Sequence, residues 1–308
     1  MGETTVSSST TPSKDRYLGW RTLGVFVAAF VAGWIAGIAV GLTTRQIGLL
    51  LHLSEPIGHT LSWVGITTAR LIPWVLATHV VLKRRLRDLA FRFHPGWWFD
   101  LLAGIGITAL AIWIVFVVSQ RTGWLVVDGW MWQALSFDAF LGTLWVSLLI
   151  NALVALGEEI TFRAYLLTGL KEAWGRRIGL AIMMVVFGVV HLPAYMGQGM
   201  QSLVLALAIV LAAVMGVLLG LIYLHTGSLW MPIGIHFAWN LVENDLLNLT
   251  GDATNTNLIG AVTRLQGPLS PTGAAYGNAI VLDLLAFVIL SVGVWLWLAR
   301  RRPVENQC

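Results

Sequence analysis

Residues 140–170 read FLGTLWVSLLINALVALGEEITFRAYLLTGL. The stretch is apolar almost throughout, yet it holds Glu158, Glu159 and Arg163 near its middle. It exceeds the roughly 20 residues that span a bilayer, which predicts a membrane helix either tilted or kinked at Gly157. Ionisable groups in such a helix are expensive and mark a functional site by default.

Working outward, seven further apolar stretches are long enough to cross, at about 22–42, 60–82, 101–119, 178–194, 203–225, 229–247 and 279–299. The chain of 308 residues is 57% hydrophobic and 11% charged, against about 25% charged in soluble domains. Its mean hydropathy is +0.78. This composition excludes a disordered chain, a disulfide scaffold and an ordinary soluble enzyme. The fold class expected is all-α, a polytopic membrane helix bundle with about eight transmembrane helices. Four parts are expected: a polar tail at 1–20, N-terminal membrane helices at 21–135, a catalytic membrane core at 136–250, and an outer loop, last helix and basic tail at 251–308.

Charge sets the orientation. Lys14, Arg16 and Arg21 precede the first span, Lys83 to Arg92 follow the second, Lys171 to Arg177 follow the fourth, and Arg300 to Arg302 follow the eighth. Eight crossings put all of these on one side, so both termini are expected in the cytoplasm. The net charge of +4 needs no nucleic-acid partner, and none is expected. Contact with anionic lipid headgroups suits the Lys83–Arg92 run. The single cysteine, Cys308, permits neither an intramolecular disulfide nor a cysteine metal site, and is not expected to be prenylated. No cleavable signal peptide or internal repeat is expected.

Three helices carry polar residues inward: Glu158, Glu159 and Arg163; His191; and His236 with Asn240. Glu158 precedes Lys171 by thirteen residues and His191 follows Arg177 by fourteen. At about 1.5 Å per residue both lie roughly 20 Å from those charges, and His236 lies about 16 Å from His225. The clusters are expected to meet at one depth.

Glu159 and Arg163, four apart with the acid first, are expected to form a structural ion pair. Glu158 points about 100° away and stays free for chemistry. His236 and Asn240 share a face. Asn151 lies on the Glu158 stripe, where hydrogen-bonded packing is the commoner role. A lone membrane histidine is usually a packing partner; the combination of carboxylate, imidazoles and amide is harder to explain that way. A carboxylate beside a histidine can deprotonate water, and an amide with an imidazole N–H can stabilise an oxyanion. The set suits acyl-bond hydrolysis. Glu158, His191 and His236 equally match a two-histidine, one-carboxylate zinc site. Metal-free and zinc-assisted hydrolysis both stay open. Arg70 and Asp283 are also out of place in apolar spans, each suited to a structural ion pair or to lining a cavity, and His79 is placed to snorkel to the cytoplasmic interface; all three are left outside the site.

The ordered motifs Glu158-Glu159-x-x-x-Arg163, Phe187-x-x-x-His191 and His236-x-x-x-Asn240 resemble the CPBP family of intramembrane proteases, which includes CAAX prenyl endopeptidases and bacteriocin-processing proteins. The resemblance covers about 140–247. It implies an eight-helix endopeptidase in which Glu158 and His191 activate water, His236 and Asn240 form the oxyanion pocket, and Glu159 and Arg163 hold the geometry. It implies a peptide or protein substrate, prenylated or otherwise membrane-associated, and leaves the choice between glutamic and metalloprotease open. The rival readings are a proton-coupled transporter using the same residues as a relay, and a non-catalytic scaffold or immunity protein.

Overall fold

The computed structural model describes residues 13–52, 55–83, 85, 91, 93, 95–197, 200, 202–250, 259–266 and 275–300. Most of the polar N-terminal tail lies outside them, as do Arg84, Arg87, Arg92, Arg301, Arg302 and Cys308.

The chain folds as a helix bundle. Helices α1 (Ser13–Leu50), α2 (Glu55–Val81) and α3 (Trp97–Arg121) are followed by a short strand β1 (Leu125–Trp130). The long central helix begins as α4 (Phe137–Glu159), passes through a π-helical segment (Ile160–Leu167) and ends as α5 (Thr168–Trp174). Ser136 starts it, its hydroxyl accepting from the Ala139 amide at 3.3 Å. A tight turn at Gly175 (φ 86°), a conformation that glycine adopts without penalty, reverses the chain into α6 (Arg176–Val190). Then come α7 (Leu192–Gly197), α8 (Ser202–Thr226), α9 (Trp230–Ala238) with a second π segment (Trp239–Leu246), strand β2 (Ala261–Leu265) and α10 (Ala275–Leu298).

Seven helical stretches among the described residues are long and apolar enough to cross a membrane. The eighth expected span, 229–247, is α9 plus its π segment, a helix of nine residues joined to one of eight. The strands support its crossing. β1 and β2 pair antiparallel, Leu125 opposite Leu265 and Trp130 opposite Ala261, and Arg264 Nε binds Asp128 at 2.8 Å. Both loops therefore lie on one side of the bilayer, and an even number of crossings must separate them. Phe137–Trp174, Arg176–Gly197 and Ser202–Thr226 supply three; residues 230–246 supply the fourth. The chain is an integral multi-pass membrane protein. The small sheet is the one departure from an all-helical reading, built from loops with no long period-2 pattern.

Outward-facing Val27, Val31, Ile35, Ile38 and Leu42 give α1 an exposed apolar face, as lipid contact requires. Inside, Phe26, Trp74, Phe162 and Phe187 form a chain of aromatic contacts, with ring centroids 4.8–5.7 Å apart, beneath the first π segment.

The helix bearing His236 is held by backbone proximity. A Cβ on Gly104 of α3 would stand 2.5 Å from the Met231 carbonyl oxygen, and one on Gly234 would collide with that of Leu101. Close approach through small residues replaces hydrophobic drive between helices in a membrane. Gly234→Ala is therefore expected to destabilise the protein by about 1–3 kcal/mol through overpacking. Thermal unfolding of the detergent-solubilised protein checks this; an unchanged melting temperature would show that the α3–α9 contact is loose.

Candidate active site

The central helix presents its two glutamates to different surroundings. Glu159 is fully buried, and its Oε1 accepts from Arg163 at 2.9 Å and from His236 Nδ1 at 3.0 Å. The expected i,i+4 pair forms although Arg163 lies within the π segment. Arg163 is also fully buried, reaches the Gly216 carbonyl at 3.4 Å, and lies 4.5 Å over the Phe187 ring. Glu158 projects the other way, 31% exposed, into a cavity of 460 Å³. The Thr168 hydroxyl donates to the carbonyl of Arg163 at 3.1 Å. Segments of π-helix recur at functional sites, and the second one begins three residues after His236. The over-long helix carries a π-helical segment at Ile160–Leu167, just after Gly157.

His191 closes α6. Pro193 has no N–H to offer Val189, and the His191 amide turns back to the Gly188 carbonyl at 3.2 Å. Its Nδ1 donates to the Phe187 carbonyl at 2.6 Å, so its Nε2 carries the lone pair in the neutral ring. That Nε2 stands 3.9 Å from Glu158 Oε2. His236 is arranged likewise: Nδ1 donates to Glu159, and Nε2 lies 3.7 Å from the same Glu158 oxygen. One carboxylate oxygen thus faces two imidazole nitrogens across gaps too long for direct hydrogen bonds and suited to a shared small group. Asn240 lines the same cavity. Four expected residues, Glu158, His191, His236 and Asn240, converge, and Glu159 with Arg163 stands behind them.

Each histidine, fixed through Nδ1 by a carbonyl or carboxylate, has the outer-shell support typical of metal-ligating imidazoles. The chemistry of Glu158, His191 and His236 therefore suits a divalent ion. Their spacing does not gather three ligands, and no acid or histidine group among the described residues does.

Sequence reasoning missed several features. The Glu159–His236 bond joins residues 77 apart in sequence, which helix spacing cannot reach. Glu243 lines the cavity beside the site, together with Asp283, whose place in a cavity wall the sequence had allowed. Glu243 follows His236 by seven and Asn240 by three residues, so the same-face rule could have found it. Asn151, by contrast, packs: its amide donates to Asp245 Oδ2 at 2.7 Å and to the Ser147 carbonyl at 2.9 Å. Arg70 belongs to a second chamber of 290 Å³, walled by Trp34, Trp63, Trp74 and Phe162, that meets the first at Glu158 and His191. Its guanidinium lies 4.4 Å over Trp34.

Residues 140–242 match the family model described as type II CAAX prenyl endopeptidase, Rce1-like. The matched segment contains every residue of the three motifs. The match covers about a third of the chain and is a likeness to that family; the apolar helices around it are those of a multi-pass membrane protein. No curated protein and no solved structure matches the chain.

Proposed function

We propose that this protein hydrolyses a peptide bond near the cytoplasmic leaflet, using water activated by Glu158. The observation that carries this is the meeting of Glu158 Oε2 with His191 Nε2 and His236 Nε2, at 3.9 and 3.7 Å, inside a cavity within the helix bundle.

Glu158 takes a proton from a water between itself and the scissile carbonyl, and the oxygen attacks the carbonyl carbon. His191, its Nδ1 already committed to Phe187, holds the water through Nε2. The tetrahedral oxyanion is met by the Asn240 amide and by Nε2–H of His236 in its imidazolium form, whose charge Glu159 balances through Nδ1. Collapse breaks the C–N bond, and the proton on Glu158 passes to the leaving amine. Arg163 keeps Glu159 aimed at His236.

The aromatic chamber beside Glu158 supports an apolar, membrane-delivered substrate such as a prenylated CAAX peptide. The positions of the basic segments support cytoplasmic termini. The test is incubation of purified protein with a farnesylated CAAX peptide and its unprenylated twin, with and without chelator. Cleavage of the farnesylated peptide, faster than its twin, is expected. No cleavage of either would contradict the proposal, and loss of cleavage with chelator would assign the site to a metal.

A further inference from the structure

The cavity that holds Glu158 has a second acidic wall that the hydrolysis does not use. Glu243, on the second π segment, and Asp283, along α10, line it. Glu243 is 3% exposed. Glu243 Oε1 and Asp283 Oδ1 are buried with no hydrogen-bond partner among the described residues. Asp245, close by in sequence, differs: its Oδ2 accepts from Ser147 at 2.5 Å and from Asn151 at 2.7 Å. The fold satisfies that acid and leaves the other two facing the cavity.

Among the described residues no lysine or arginine lines this cavity, and His236, which does, is bound through Nδ1 to Glu159. Between residues 178 and 299 the sequence contains a single Lys or Arg, Arg264, and it is bound to Asp128 beside the small sheet. Arg163 is bound to Glu159, and Arg70 lies over Trp34 in the other chamber. Buried carboxylates without a counter-charge are costly in an apolar medium. No three acids or histidines among the described residues are spaced as metal ligands. An ammonium or guanidinium with several donors on an apolar stem suits two carboxylates, and Leu211, Met215 and Ile280 in the same wall suit the stem.

We infer that Glu243 and Asp283 form a subsite for a cationic side chain of the substrate, lysine or arginine, close to the scissile bond. The inference rests on the endopeptidase reading and adds a specificity to it. Neither acid is a residue of the three motifs, and both lie outside the matched segment 140–242.

Dansylcadaverine, a primary amine on a five-carbon stem, tests this against a neutral dansyl amide of equal length. Each is titrated into the detergent-solubilised full chain, with empty micelles subtracted. The amine is expected to bind at least about tenfold more tightly than the neutral dye, the scale of a charge-assisted hydrogen bond. Glu243→Gln and Asp283→Asn, each nearly isosteric, are each expected to lose about tenfold in amine affinity, with binding of the neutral dye unchanged. Equal binding of the two dyes to the wild type overturns the subsite, as does amine affinity unchanged in both variants. If the amine preference holds while no peptide is cleaved, the endopeptidase reading fails and the subsite stands. Cleavage without amine preference removes the subsite and leaves the endopeptidase.

Discussion

Glu158→Gln is expected to slow peptide cleavage by about 10²–10⁴-fold, the usual contribution of a positioned general base. The melting temperature should stay near that of the wild type. Glutamine keeps the shape of the side chain, and Glu158 makes no close ion pair whose loss would loosen the bundle; its nearest basic atom is 3.7 Å away. A matched pair of measurements decides it: turnover on the peptide that the wild type cleaves, and thermal unfolding in the same detergent. Near-wild-type turnover would remove Glu158 from the role of base.

Arg163→Ala acts through stability first. Its guanidinium and the Glu159 carboxylate are both fully buried and 2.9 Å apart. Removing Arg163 leaves the buried Glu159 carboxylate with His236 as its one remaining partner and breaks a fully buried ion pair, a loss of about 3–5 kcal/mol. Expression and melting temperature should fall together. Activity should fall as well, because Glu159 also holds His236 at 3.0 Å. Adding Glu159→Gln to Arg163→Ala removes that buried charge and is expected to restore part of the stability. It is not expected to restore turnover, since the imidazolium of His236 would still lack its counter-charge. An unchanged melting temperature in Arg163→Ala would contradict the ion pair as the support of the site.

The opposite directions taken by Glu158 and Glu159 were legible because they follow from one helix. Residues four apart meet, residues one apart diverge, and Arg163 chooses between the acids. The convergence of three helices was legible because membrane depth can be counted from charged ends at a known rise. Other features depend on contacts between distant segments. No local pattern announces that Glu159 bonds His236, or that the apolar face of α10 turns Asp283 into the cavity. The π segments at Ile160–Leu167 and Trp239–Leu246 have no residue signature of their own; they show only in bonds such as that from the Leu247 amide to the Val242 carbonyl, five residues back. Residues 229–247 divide into two short helices because of such a segment, and their crossing is read more securely from the pairing of β1 with β2 than from hydropathy.

Whether Glu158 and His191 act as one hydrolytic unit is read most directly from a double-mutant cycle on cleavage rate, with Glu158→Gln, His191→Ala and the pair. Residues that share one chemical step lose nearly as much singly as together. The double variant is therefore expected to be no more than a few-fold slower than the slower single one. Losses that multiply would mean two independent roles, and would contradict a water held between that carboxylate and that imidazole.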